Sequence, residues 1–290
     1  MNNSTTEKTF FGQPRGLSTL FFTEMWERFS YYGMRAILLF YMYYAVERGG
    51  LGMNETTAAS IMSIYGSLVY LSTVAGGWLA DRIWGARSTV FFGGVLIMIG
   101  HIILALPMAE LGLYISIAFI VGGTGLLKPN VSDMVGGLYS LDDRRRDAGF
   151  SIFVFGINLG SALAPWLVPW ASEGFGLNLF GNHFNFHAGF SLAAVGMFFG
   201  LVQYVWGGRK YLSEDGMHPT DPIDPETRNK VLKRIGLGVL ALAVVLGLMA
   251  AFGQLNIDNI ITLITIVAIA LPIYYLSLIH ISEPTRPEPI

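Results

Sequence analysis

Residues 21–40 read FFTEMWERFSYYGMRAILLF, a segment apolar enough to cross a bilayer that nevertheless carries Glu24, Glu27, Arg28 and Arg35. An ionisable group in such a span costs several kcal/mol, roughly, and faces a bundle interior or a water-filled cavity rather than lipid. At the helical repeat, Glu24, Arg28, Tyr31 and Arg35 fall within about 60° of one another. Glu27 lies about 60° to one side, and Tyr32 takes the other flank. The result is one polar stripe on an otherwise apolar helix. Two acids and two bases on one stripe can neutralise each other, and a carboxylate there has a pKa set by its partners and by desolvation. Such a group can take up a proton on one side of a membrane and release it on the other. The plainer alternative is a static ion-pair cluster that locks this helix to its neighbours.

The rest of the chain supports a membrane reading. Hydrophobic residues make up 53% and charged residues 13%, against about 25% charged in soluble domains. Mean hydropathy is +0.52. A membrane helix needs about 20 mostly apolar residues, and eight segments qualify: roughly 18–46, 57–80, 88–107, 111–137, 148–171, 187–207, 233–253 and 259–279. The expected fold class is therefore all-α, a polytopic membrane protein. Met1 to Gly16 are polar and lack the apolar run and cleavage site of a secretory signal. The absence of cysteine removes disulfides, thiolate metal sites and cysteine nucleophiles. A net charge of −2 with no basic stripe gives no sign of nucleic-acid binding.

Lysine and arginine placement sets the expected orientation. With the N-terminus in the cytoplasm, the inside segments hold Lys8, Arg15, Arg82, Arg87, Arg144, Arg145, Arg146, Arg209, Lys210, Arg228, Lys230, Lys233 and Arg234, while the outside segments hold only Arg48. The expected placement is a multi-pass protein of the cell's inner (plasma) membrane.

Further polar groups stand out against apolar surroundings. Lys128 lies in GGTGLLKPN, where Gly122, Gly123, Gly125 and Pro129 predict an irregular helix; irregular backbone at membrane depth is tolerated where it lines protein or a cavity. A lysine there wants an anion, either a helix 1 carboxylate or a substrate carboxylate, unless it snorkels to an interface. Asn158, between Gly156 and Gly160, can hydrogen-bond a substrate or a neighbouring helix, and Tyr70 places a hydroxyl in an apolar span. Gly156/Gly160 and Gly196/Gly200 have the spacing that lets helices approach closely, for which ordinary packing is sufficient reason. His183 and His187 are four apart but have no third ligand nearby, so no metal site is expected, and His101 reads as structural. No phosphate-binding glycine loop, nucleophile elbow or Ser/His/Asp arrangement suggests an enzyme.

Glu24 to Gly33, EMWERFSYYG, resembles the ExxERFxYYG motif of the proton-dependent oligopeptide transporter family (POT/PTR2) within the major facilitator superfamily. Gly76-Gly77-Trp78-Leu79-Ala80-Asp81-Arg82, with Gly85 and Arg87, resembles that superfamily's loop between helices 2 and 3. Phe150 to Ser161 resembles the family's helix 5 pattern, with Ser151 where tyrosine or threonine is usual, and Gly123 to Asn130 resembles its helix 4 lysine segment. The likeness covers about residues 14 to 276. It implies an N-terminal six-helix bundle followed by two extra helices, with the partner C-terminal six-helix bundle missing. It also implies that Glu24, Glu27, Arg28 and Lys128 form a proton-coupling and salt-bridge network. Tyr32, Arg35, Tyr70, Lys128 and Asn158 would line a site for di- and tripeptides, and Gly77, Asp81, Arg82 and Arg87 would form a conformational-gating loop. Protons would be the coupling ion, with no other cofactor, and the lipid bilayer the surrounding partner.

On this basis the expected organisation is a cytoplasmic segment 1–16, a six-helix bundle 17–207, a cytoplasmic linker 208–232, two additional helices over 233–279, and a tail 280–290. From about Ser277 the chain reads SLIHISEPTRPEPI; with Pro284, Pro287 and Pro289 it cannot continue a helix. It resembles translated adapter read-through, which predicts a truncated product unable to transport by itself. Two other functions are compatible with the residues: carriage of another small anion such as nitrate, and a non-transporting membrane scaffold.

Overall fold

The computed structural model describes residues 9–254 apart from 180 and 182, together with 259, 262, 263, 265, 266 and 270. The eighth predicted segment, 259–279, and the tail 280–290 lie almost wholly outside the described residues. Among the described residues the regular elements are all helical: α1 (Gly16–Tyr43), α2 (Glu55–Leu79), α3 (Ala86–Ala105), α4 (Ala109–Gly136), α5 (Arg146–Ser172), α6 (Phe186–Tyr211) and α7 (Pro225–Ala251). Five of these, α2 (continued to Trp84) through α6, are long and apolar enough to cross a membrane. The first helix carries the four charges noted above.

The chain divides into two units, one ending at Ile223 and the other beginning at Asp224. In the first, α1 packs mainly on α5 and α6, α3 on α4 and α6, and α2 on α4. Glycine makes the closest of these contacts possible. A Cβ on Gly160 would run into the Met25 carbonyl and the Phe29 amide of α1. A Cβ on Gly200 of α6 would meet the Trp26 side chain. The two glycine pairs of α5 and α6 therefore both serve the same neighbour, the charged helix α1. A similar close approach joins α3 and α4, where Gly93 and Gly123 each lie against the other's carbonyl.

Two expectations need correction. The segment GGTGLLKPN is predicted to be irregular, yet α4 runs as a continuous helix through Pro129. Proline cannot donate to the carbonyl four residues back, here Gly125, and that carbonyl lies against Gly76 of α2. The next residue, Asn130, donates its side-chain amide to the carbonyls of Gly76 (3.1 Å) and Leu126 (2.7 Å), tying α4 to α2. Contacts with α2 thus support an unbroken helix where the local sequence alone would interrupt it. The second correction concerns the linker. In the second unit α7 starts at Pro225, eight residues before the predicted 233. Proline suits the first position of a helix, where its missing N–H has no intrahelical partner to lose. Asp224 caps it by accepting a hydrogen bond from the Thr227 amide at 2.9 Å, and Lys230 bonds Glu226 one turn back.

The glycine contacts make a stability prediction. Gly160→Ala is expected to cost about 1–3 kcal/mol through overpacking. Gly66→Ala in α2, where a Cβ meets nothing within 4 Å, is expected to be neutral or slightly stabilising. Thermal unfolding in detergent compares the two; equal midpoints would contradict the α1–α5 contact.

Candidate functional site

The polar stripe of α1 is inside the bundle. Glu24, Glu27 and Arg28 are 3%, 0% and 5% exposed. The Arg28 Nε donates to Glu24 Oε1 at 3.0 Å and is also ion-paired with Glu27. One guanidinium thus serves two carboxylates. Glu24 Oε2, Glu27 Oε1 and Arg28 Nη2 are buried without a hydrogen-bond partner among the described residues. Two acids against one base leave one negative charge in excess. Buried charge is stable only when it is paired or neutralised. Two neutralising agents are at hand: a proton, or the nearby ammonium of Lys128.

Lys128 is half-buried on α4. It makes no ion pair with either glutamate, yet it interacts electrostatically with both. Its Nζ lies 5.1 Å from the Tyr70 ring centroid of α2, a cation–π contact. The α2–α4 close approach that Gly76 and Gly125 permit puts these two side chains together. Further along α1, Arg35 donates to the Tyr31 hydroxyl at 3.1 Å. The Tyr31 ring touches that of Tyr32 edge-on at 5.1 Å and lies 6.1 Å from that of Tyr65. Arg35, Tyr32 and Tyr70 are exposed, Tyr70 to 70%. Asn158 is also exposed; its amide donates to the Val154 carbonyl one turn back at 3.0 Å, and no hydrogen bond among the described residues joins it to the other site residues.

Tyr65 is absent from the sequence-based list. It is 1% exposed, its hydroxyl has no hydrogen-bond partner among the described residues, and it lies in the electrostatic field of Glu27, Arg28 and Arg35. The signal that singled out Tyr70, a tyrosine in an apolar span, applies equally to Tyr65, five residues earlier on α2.

The loop residues form a separate group. A one-turn π-helix, Ala80–Trp84, leads to Gly85 at φ 78°. The segment after α6 folds onto this turn. The Asp221 and Ile223 amides donate to the Asp81 and Arg82 carbonyls. Thr220 bonds the Asp81 carboxylate at 3.2 Å, and Arg82 pairs with Asp221 at 2.8 Å. Arg87 donates to the Ser213 carbonyl at 2.9 Å, and its own carbonyl accepts from the Tyr204 hydroxyl. Gly77 has open space beside it; its neighbour Gly76 makes the approach to α4.

Long apolar helices around a buried ionic cluster make this a polytopic membrane protein whose polar machinery sits within the span. Residues 87–228 match the family model described as the POT family (PTR2). A di-/tripeptide transporter of Lactobacillus helveticus is 76% identical over 200 residues, covering 69% of this chain and 40% of that protein. One from Lactococcus lactis subsp. lactis (strain IL1403) is 48% identical over 290 residues, covering 99% of this chain and 56% of the relative. Among solved structures, a peptide transporter POT in complex with sulfate superposes with a TM-score of 0.87 at 50% identity, over 97% of this chain and 55% of that one. The chain carries a domain of the POT family, a family of membrane transporters. It spans about half the length of the curated relatives it matches.

The cluster makes a direct prediction. Arg28→Met leaves both buried carboxylates without their guanidinium and is expected to cost about 3–5 kcal/mol. Adding Glu24→Gln and Glu27→Gln, which removes the orphaned charges, is expected to recover most of that loss. Thermal denaturation of detergent-solubilised protein measures it, and a single variant as stable as the parent would show that the cluster is not buried in this way.

Proposed function

We propose that this chain supplies the N-terminal half of a proton-coupled symporter for di- and tripeptides. The observation that carries the reading is the buried Glu24–Glu27–Arg28 cluster, with one carboxylate in excess and Lys128 in electrostatic reach. Protonating a carboxylate weakens its hold on Arg28 and Lys128. That frees positive charge for the carboxylate of a peptide, so proton and substrate bind together. Lys128 and Tyr70, already in contact, offer the peptide a cation and an aromatic face. Arg35, Tyr32 and Asn158 are exposed and available to the same ligand. The names of the relatives support the substrate class, being di-/tripeptide transporters.

In secondary transporters one bundle rocks against another about a central site. The second bundle would cover the polar face of this one and complete the peptide pocket. The turn carrying Asp81, Arg82 and Arg87 would act as the gate, its hold on the 212–223 segment changing as the bundles move. The Lys/Arg bias supports an orientation in which this turn and the N-terminus face the cytoplasm.

The test is uptake of a labelled dipeptide into proteoliposomes with an inward proton gradient. The chain is compared with a version joined to the C-terminal part of a full-length relative. Uptake confined to the completed carrier, and abolished by a protonophore, is the expected outcome. A folded, completed carrier that ignores dipeptides and takes up nitrate or another small anion would overturn the peptide reading.

A further inference from the structure

Away from the ionic cluster, α3 and α6 leave a groove of about 490 Å³ between them. Val95 and Met98 of α3 face Phe198, Val202 and Trp206 of α6 across it. On each helix these residues recur at three- and four-residue steps, so each set forms a single face. Val202 is 51% exposed and Trp206 62%. The lining is apolar until the end of α6, where Arg209 closes the groove. A second recess of about 320 Å³ continues from Arg209 past Ser88 to Arg87. Among the described residues no acidic side chain lines either recess.

The charges at this end are differently engaged. Arg87 gives its Nη1 to the Leu212 and Ser213 carbonyls. Lys210 holds its ammonium 4.5 Å from the Trp206 ring centroid. Arg209 is exposed and belongs to no ion pair among the described residues. A long apolar trough that ends in an uncommitted guanidinium, flanked by two more cations, matches one amphiphile: a hydrocarbon chain with an anionic head. Basic recesses between membrane helices at the cytoplasmic side are where anionic lipid headgroups bind.

We propose that this groove binds one anionic phospholipid, an acyl chain lying between α3 and α6 and its phosphate held by Arg209. A zwitterionic lipid would bring its own ammonium among Arg87, Arg209 and Lys210, and the repulsion selects against it. The leaflet follows from the orientation proposed above, but the lipid preference does not depend on it.

The chain contains no cysteine, so Val202→Cys gives a unique site for a bimane label inside the groove. The labelled chain is placed in phosphatidylcholine vesicles containing increasing fractions of brominated phosphatidylglycerol or brominated phosphatidylcholine. Bimane quenching is expected at several-fold lower fractions of the brominated phosphatidylglycerol. Arg209→Gln is expected to reduce that preference roughly fivefold, the equivalent of about 1 kcal/mol per basic residue near a membrane surface. Arg209→Lys, which keeps the charge, and Arg144→Gln, which removes an exposed charge elsewhere, are expected to keep it. In detergent, phosphatidylglycerol is expected to raise the unfolding temperature and glycerol phosphate alone to leave it unchanged. Equal quenching by both lipids, or a preference untouched by Arg209→Gln, would overturn the proposal. So would an absence of quenching by either lipid, which means protein covers the groove, or stabilisation by glycerol phosphate equal to that by the lipid. These outcomes are independent of whether the completed carrier moves peptides.

Discussion

Two carboxylates and a guanidinium cannot face hydrocarbon, and the placement of α1 follows from that constraint. A helix that carries Glu24, Glu27 and Arg28 must be enclosed by other helices. The enclosing helices must also come close enough to leave no room for lipid. Glycines on α5 and α6 meet this need: Gly160 sits against the α1 backbone and Gly200 against Trp26. The charges thus dictate which helix is central, and the small residues dictate which neighbours can surround it. Removing either half of this arrangement exposes the other.

The polar groups outside α1 are positioned by a second close contact. Gly76 and Gly125 bring α2 and α4 together, and Asn130 fastens the two by bonding the Gly76 carbonyl. Lys128 on α4 thereby meets Tyr70 on α2 while staying in electrostatic reach of the α1 carboxylates. In the proposed mechanism, that geometry would let a single ammonium respond to the protonation state of α1 and to a ligand on the exposed side. At the far end of α2, the Asp81–Arg82 turn is fastened to the segment that leaves α6.

The sequence made much of this legible, for identifiable reasons. Apolar runs of membrane length mark helices whatever their neighbours, so α1 to α6 start and stop within a few residues of their predicted bounds. The α1 stripe was readable because helical periodicity alone puts Glu24 and Arg28 on one face. Tyr65 carried the same signal as Tyr70, a tyrosine in an apolar span, but what sets it apart, the rings and charges of α1 around it, is visible only in the fold. The continuity of α4 was hidden because Gly and Pro report local freedom, whereas contacts with α2 remove it. Gly196 and Gly200 announced close packing without naming the partner. The early start of α7 was not legible because its first turn, opened by Pro225, is polar and lies ahead of the apolar run that set the expected bound at 233.

The central claim is that the α1 carboxylates couple protons to solute movement. It is tested most directly by placing Glu24→Gln in the completed carrier and measuring two modes of dipeptide transport. One is accumulation driven by a proton gradient; the other is counterflow exchange, which needs none. The account expects accumulation to be lost while counterflow persists, because the pocket remains and only the exchangeable proton site is gone. Gradient-driven accumulation at the parent level would contradict it and leave the cluster with a purely structural role.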